Sequence, residues 1–173
     1  MAEFAEIEAA YRQFPERVQS LMLSTVTPEG WPQASYAPFV LKQNGRDGFG
    51  PASGHRCFYI FVSGLSNHTA NLKHTPRAGI LLIQDEAETQ QIFARQRLMY
   101  DCEALLIERH DPNWGGLADY FQTRFGNLVT MLRQLPDFQI FQLTPKSGRF
   151  VVGFGAAYAV DPTNCDRLIP LEQ

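Results

Sequence analysis

The segment CFYIFVSGLSNHTANLKH, residues 57–74, brings hydroxyl and imidazole groups to the start of a predicted short helix. A β-prone strand leads to Ser63, and Ser66 stands at the N-cap position. Both hydroxyls, the His68 imidazole and the free N–H groups of the first helical turn can donate to a phosphate or a carboxylate. The alternative is that Ser66 serves only to begin the helix, which is a common role of serine at this position.

Two arginines occur in the motif ARQRL. Arg95 and Arg97 are two residues apart in a predicted strand over 94–108, so we expect them to project from one face. Two guanidinium groups in line can hold a phosphate or a propionate through bidentate hydrogen bonds. The alternative is that they pair with Asp101, with Glu103 or with acids on a neighbouring strand.

The motif SYAPFV offers flat aromatic surfaces within a strand. Tyr36 and Phe39 face opposite sides of this strand, and Pro38 indicates an edge or a bulge. Backbone groups exposed at a bulge can hydrogen-bond a planar heterocycle. The alternative is that both aromatic side chains belong to the core.

Other chemistry is not indicated by the sequence. Cys57, Cys102 and Cys165 form an odd set without a CxxC pair, so we expect reduced thiols and no metal site. No residue stands out as a catalytic acid, base or nucleophile.

The composition is that of a folded domain. Of 173 residues, 45% are hydrophobic and 19% are charged, and we expect one domain over residues 1–173. The net charge of −3 disfavours a nucleic-acid partner. The apolar runs are too short to span a bilayer, and the acidic N-terminal segment is unlike a secretory signal. We therefore expect no membrane partner and a cytoplasmic location.

Strands dominate the elements that must position these residues. Apolar spacings of three and four predict an N-terminal helix over about 2–19, broken near Pro15, and a second helix over 112–134. The remaining predicted elements are a hairpin from residue 21, a glycine-rich loop over 44–54, strands over 57–62, 78–83 and 94–108, and three short strands FQIFQL, RFVV and AAYAV. Together they predict an antiparallel barrel or sheet of the α+β, mainly β class over about 21–160, with a tail over 161–173.

Taken in order, three segments resemble the FMN-binding split barrels of the pyridoxamine 5'-phosphate oxidase-like superfamily. They are LSTVTPEGWPQASYAPFVL, FYIFVSGLSNHTANLKHTPRAGILLI and FARQRLMYDCEA. The late motif from DFQIFQL to GFGAAY extends the likeness toward the HugZ-type haem-utilisation proteins. The resemblance covers nearly all of residues 15–160. It implies a six-stranded antiparallel split β-barrel with flanking helices, which forms a homodimer with a small-molecule cofactor at the interface.

In the oxidase branch, the resemblance implies FMN as the cofactor, with the flavin carrying the redox chemistry. The positions that match its cofactor contacts are Ser35, Tyr36, Ser63, Asn67, His68, Gln96 and Arg97. Asn67 and His68 stand where that branch has two basic residues. We add Ser66 and Arg95 to these cofactor-binding candidates because of the helix start and the paired arginines described above.

In the haem branch, the resemblance implies haem as the alternative cofactor, with the two arginines at its propionates. A histidine near the C-terminus is the iron ligand in that branch, and Pro170 stands in its place here. The aspartate that supports this ligand from the neighbouring subunit matches Asp137. The expected function is an FMN-binding flavoprotein of the pyridoxamine-phosphate-oxidase-like type that acts as an oxidoreductase. The alternatives are a haem-binding or haem-degrading protein and a ligand-binding protein without catalysis.

Overall fold

Six antiparallel strands close into a barrel in a computed structural model, which describes residues 2–43 and 56–171. The order around the barrel is β1–β2–β3–β6–β5–β4, and β4 pairs back onto β1. The strands are β1 (Ser20–Val26), β2 (Pro32–Gln43), β3 (Arg56–Ser63), β4 (Arg77–Ile83), β5 (Arg97–Ile107), β6 (Phe138–Gly153), β7 (Ala156–Val160) and β8 (Leu168–Pro170). The helices are α1 (Ala2–Gln13), α2 (Asn67–His74), α3 (Trp114–Phe125) and α4 (Leu128–Leu132). The predicted split barrel of α+β, mainly β class is confirmed, while the loop predicted over 44–54 lies outside the described residues.

The long strand β6 serves two neighbours along one edge. Its first part pairs with β3, and its last part pairs with β7, which in turn pairs with β8. The prediction that FQIFQL and RFVV are separate strands is therefore wrong. Strand β6 stays paired with β5 across a bulge, which shifts the register between Asp101 and Cys102, so that Cys102 faces Pro145. A bulge tolerates the proline because the ladder is already interrupted there.

Two predicted helices end earlier than expected. The helix predicted over 2–19 stops at Gln13, and Pro15 lies in a 3-10 turn over Phe14–Arg17, which confirms the break near Pro15. The helix predicted over 112–134 is two helices, α3 and α4, because Gly126 takes the left-handed value of φ, 83°. The segment predicted as a tail contains β8.

Helix α1 packs its apolar side into the barrel core and is held there by buried hydroxyls. The Tyr100 hydroxyl donates to the Tyr11 hydroxyl at 2.6 Å, and Tyr11 donates to the carbonyl of Cys165. Burial raises the pKa of Tyr11 to about 12, so this phenol stays protonated and able to donate at neutral pH. The chain of hydrogen bonds ties α1 and the C-terminal segment to the barrel.

The two sides of the barrel differ in how they are covered. On β3, residues between the two ends are buried on both faces, because α3 packs Leu117 and Phe121 against the outward-facing Phe61. On β1, buried and exposed residues alternate along the whole strand. The outward side chains of β1 therefore remain open to solvent, and a ligand or a partner can reach that side of the barrel.

We expect Gly148→Ala to destabilise the barrel. A Cβ at Gly148 would lie 2.5 Å from Cδ1 of Tyr100 and 2.8 Å from the backbone oxygen of Met99. Such overpacking should lower the free energy of unfolding by about 1–3 kcal/mol, measured by urea unfolding. The control is Gly153→Ala on the same strand, where nothing lies within 4 Å of the added Cβ. If both variants unfold at the wild-type urea concentration, the packing described for β6 is incorrect.

Candidate functional site

The turn from β3 into α2 uses most of its hydroxyl groups internally. Ser63 Oγ donates to Oδ2 of Asp137 at 2.9 Å and accepts the backbone N–H of Leu65 at 3.1 Å. Thr69 Oγ1 donates to the carbonyl of Ser63 at 2.6 Å. Ser66 occupies the N-cap position, as predicted, but its side chain makes no capping hydrogen bond. Of the hydroxyls of Ser63, Ser66 and Thr69, only that of Ser66 is left to bind a ligand.

A cleft of about 460 Å³ separates β2 from the start of α2. It brings together five of the predicted cofactor-binding residues, namely Ser35, Tyr36, Ser66, Asn67 and His68. Ser63 does not line this cleft, and its hydroxyl is bonded to Asp137. Five of the residues predicted to bind a cofactor thus line one cleft, and their role in binding stays a prediction.

One hydrogen bond and burial define the surroundings of the His68 ring. Ser35 Oγ donates to the carbonyl of Leu23 at 3.3 Å, and it lies 3.0 Å from Nδ1 of His68, within hydrogen-bond distance. The other ring nitrogen, Nε2, is buried without a hydrogen-bond partner among the described residues. Burial lowers the pKa of His68, which keeps the ring neutral at pH 7.

A buried amide that the sequence analysis missed attaches α2 to the barrel. Nδ2 of Asn71 donates to Oγ1 of Thr25 at 3.0 Å and to Oε1 of Gln33 at 2.9 Å. Asn71 is 4% exposed, so losing these bonds would leave a buried polar group unsatisfied. Its place beside Leu72 on the buried side of α2 was the available signal.

A second cleft, of about 370 Å³, contains Arg95 and Gln96. Arg95 lies before β5, so the prediction that Arg95 and Arg97 share one strand face is wrong. The Arg95 guanidinium donates to the carbonyl of Gln84 and pairs with Glu86 at 3.1 Å. Arg95 therefore forms an ion pair, as the alternative interpretation expected, but its partner Glu86 follows β4 and is neither Asp101 nor Glu103. A 3-10 turn over Ile92–Ala94 precedes β5, and Arg95 caps its C-terminal end, so Arg95 is not part of the strand.

Arg97 is the less committed of the two arginines. It is the first residue of β5, where it faces Ile83 of β4. Its Nη1 donates to the carbonyl of Arg95 at 2.9 Å. Within the described ranges, no carboxylate lies at ion-pair distance from it, so part of this guanidinium can still bind an anion.

Four cross-strand neighbours connect the two clefts on the open side of the barrel. Tyr36 on β2 faces Met22 on β1, Met22 faces Leu81 on β4, and Leu81 faces Met99 on β5. We call these four residues the outer apolar row. Tyr36 is 63% exposed and Met22 is 50% exposed. With about 4.8 Å between strands, the row is roughly 14 Å long. It forms a partly exposed apolar surface on the outside of the barrel, between the two clefts.

The positions that match the haem branch lie far apart in one chain. Asp137 precedes the start of β6, whereas Pro170 on β8 reaches β6 only through Tyr158, which faces Phe150. The strand from Phe138 to Phe150 covers roughly 40 Å of chain. One chain alone therefore does not bring Asp137 and Pro170 into one site.

The described ranges hold neither a cluster of metal ligands nor a membrane-spanning helix. No group of three or more histidine, cysteine or acidic side chains that could hold a metal ion occurs in 2–43 and 56–171. All three cysteines are buried thiols, and burial raises the pKa of Cys102 well above its ordinary value. None of the described helices has the length and apolar character needed to cross a membrane.

Comparison with known proteins identifies relatives over most of the chain. The family model described as pyridoxamine 5'-phosphate oxidase matches residues 7–152. The chain is 35% identical over 167 residues to the protein named heme oxygenase HutZ of Vibrio cholerae serotype O1, which covers 96% of this chain and 88% of HutZ.

Two solved structures agree with this relationship. The structure of HutZ from Vibrio cholerae, described as a heme storage protein, has a TM-score of 0.70 and 35% identity over 80% of this chain and 89% of that one. The structure of Campylobacter jejuni ChuZ has a TM-score of 0.81 and 30% identity over 97% of this chain and 63% of that one. The resemblance to the haem-utilisation branch is thereby confirmed, and the chain belongs to the pyridoxamine 5'-phosphate oxidase family.

Proposed function

We propose that this protein binds haem, with the porphyrin on the outer apolar row. The observation that carries the proposal is the 35% identity to HutZ, a protein named both a heme oxygenase and a heme storage protein. The order of the two cofactors predicted from the sequence is thus reversed, and haem replaces FMN as the first candidate. Bound haem would supply the iron chemistry, and the residues of this chain would supply binding and orientation.

The outer apolar row suits the porphyrin ring. Tyr36 and Met22 are exposed on the outer face of the sheet, and Leu81 and Met99 continue that face across two more strands. Burying an exposed methionine or aromatic side chain contributes about 1.5–3 kcal/mol. A planar apolar ligand therefore gains most of its affinity by covering this row.

Arg97 suits a propionate at the end of the ring. Its guanidinium lies at the start of β5, on the same outward face as Met99 two residues later. Arg95 already pairs with Glu86, so we assign the propionate to Arg97 alone. This narrows the sequence-based prediction, in which both arginines held propionates.

The axial position does not follow the pattern of the haem branch. Pro170 has no side-chain atom that can ligate iron, and His68 Nε2 is buried in the cleft beside α2. The residues thus fit the ring and a carboxylate of haem but not its usual imidazole ligand. We therefore propose haem binding and assign no catalytic step. Haem storage and haem degradation are both compatible with this proposal.

The proposal includes a homodimer, which the family resemblance implies. The outer apolar row leaves more than half of Tyr36 in solvent in one chain, and a second copy would cover it together with the ligand. A cytoplasmic location and the lack of a nucleic-acid partner stay predictions from the sequence.

Haemin titration tests the cofactor. We expect a saturable shift of the Soret band with one haem bound per chain. Arg97→Ala should weaken binding about 10-fold or more, because a hydrogen bond between charged groups contributes about 1.5–3 kcal/mol. Arg77→Ala is the matched control and should bind haem as the wild type does. Arg77 begins β4, whereas Arg97 lies beside Ile83 at the other end of that strand. A titration without a Soret shift removes the haem proposal, and equal affinities for both variants remove the role of Arg97.

Sedimentation equilibrium tests the dimer. We expect a dimer at micromolar concentration for the wild type and a monomer for Met22→Glu, because a charge would be buried in the interface. Leu128→Glu is the control, since Leu128 is 60% exposed on α4, outside the outer apolar row. A wild-type monomer, or a dimer that Met22→Glu leaves intact, would contradict this arrangement.

A further inference from the structure

The start of α2 is held by Asp137 rather than open to an anion. The Asp137 carboxylate accepts from Ser63 Oγ at 2.9 Å, and the Asp137 carbonyl accepts the N–H of Gly64 at 2.7 Å. A Cβ at Gly64 would lie only 3.0 Å from that carbonyl, so the two segments are closely packed. The next N–H, that of Leu65, is used on Ser63 Oγ. Two successive backbone donors and one hydroxyl are therefore unavailable to a ligand.

The charges around this turn also oppose an anion. No Lys, Arg or His side chain of the described ranges lies at ion-pair distance from the Asp137 carboxylate. Burial lowers the pKa of His68, so its ring is neutral at pH 7 and brings no positive charge to the turn. Asn67, the neighbouring residue that lines the cleft, carries no charge.

From these contacts we infer that Asp137 determines cofactor specificity by excluding phosphate from the turn between β3 and α2. Its carboxylate takes the serine hydroxyl that a phosphate would need and places a negative charge beside the remaining N–H groups of α2. FMN carries a phosphate and riboflavin does not, so the turn should give FMN no advantage over riboflavin. This inference does not depend on haem binding, because it concerns only the response to the phosphate.

Flavin fluorescence quenching measures this discrimination directly. We expect the wild type to bind FMN no more than twofold better than riboflavin, or to bind neither. Asp137→Asn keeps the shape of the side chain and removes its charge, and we expect it to prefer FMN over riboflavin by about 10-fold. The control is Asp101→Asn. Asp101 on β5 forms a similar serine–aspartate pair, in which its Oδ2 accepts from Oγ of Ser147 on β6 at 2.7 Å. This control should leave the ratio of the two affinities at the wild-type value.

Three outcomes would overturn the inference. They are a wild type that prefers FMN by 10-fold or more, an Asp137→Asn variant that folds but shows no preference for FMN, and an equal gain in Asp101→Asn. If Asp137→Asn does not fold, sodium chloride provides the test with the wild type. Screening should strengthen FMN binding relative to riboflavin between 20 and 500 mM salt if the turn repels phosphate, and should weaken it if the turn attracts phosphate.

Discussion

The pairing of β3 with the first part of β6 is the contact on which the arrangement depends. It closes the barrel, and it places Ser63 opposite Phe138, so that Asp137 comes to lie beside the turn into α2. Because β6 continues past β3, its last part is free to pair with β7. Strand β7 in turn pairs with β8, which holds Pro170 away from that turn. One strand pairing therefore sets the surroundings of α2 and separates the two positions that match the haem branch.

Helix α3 covers one side of the barrel, while the side that carries β1 stays open to solvent. Helix α3 buries the outward side chains of β3, and that side contributes to stability through aromatic packing such as that of Phe61 on Phe121. The outer apolar row has no such cover in one chain, although Met22 and Tyr36 are as apolar as many core residues. Covering the outer apolar row with a planar ligand or a second subunit is favourable because it removes these apolar side chains from water.

Local patterns in the sequence predicted most of the strands, and the family resemblance pointed to residues that line the first cleft, while long-range contacts could not be predicted. Alternation along β5 and the helix break at Pro15 arise from neighbouring residues, so both were visible. The bond from Ser63 to Asp137 joins residues 74 positions apart and depends on how β3 meets β6. The partner of Arg95 likewise depends on a 3-10 turn that the motif ARQRL does not reveal.

The central claim is that this family member selects haem over FMN. The most direct measurement is the absorption spectrum of the purified protein after equilibration with equimolar haemin and FMN, followed by gel filtration. The account predicts a Soret band that elutes with the protein, without the visible absorption band of a flavin. A retained flavin band without a Soret band would contradict it and restore the flavoprotein interpretation.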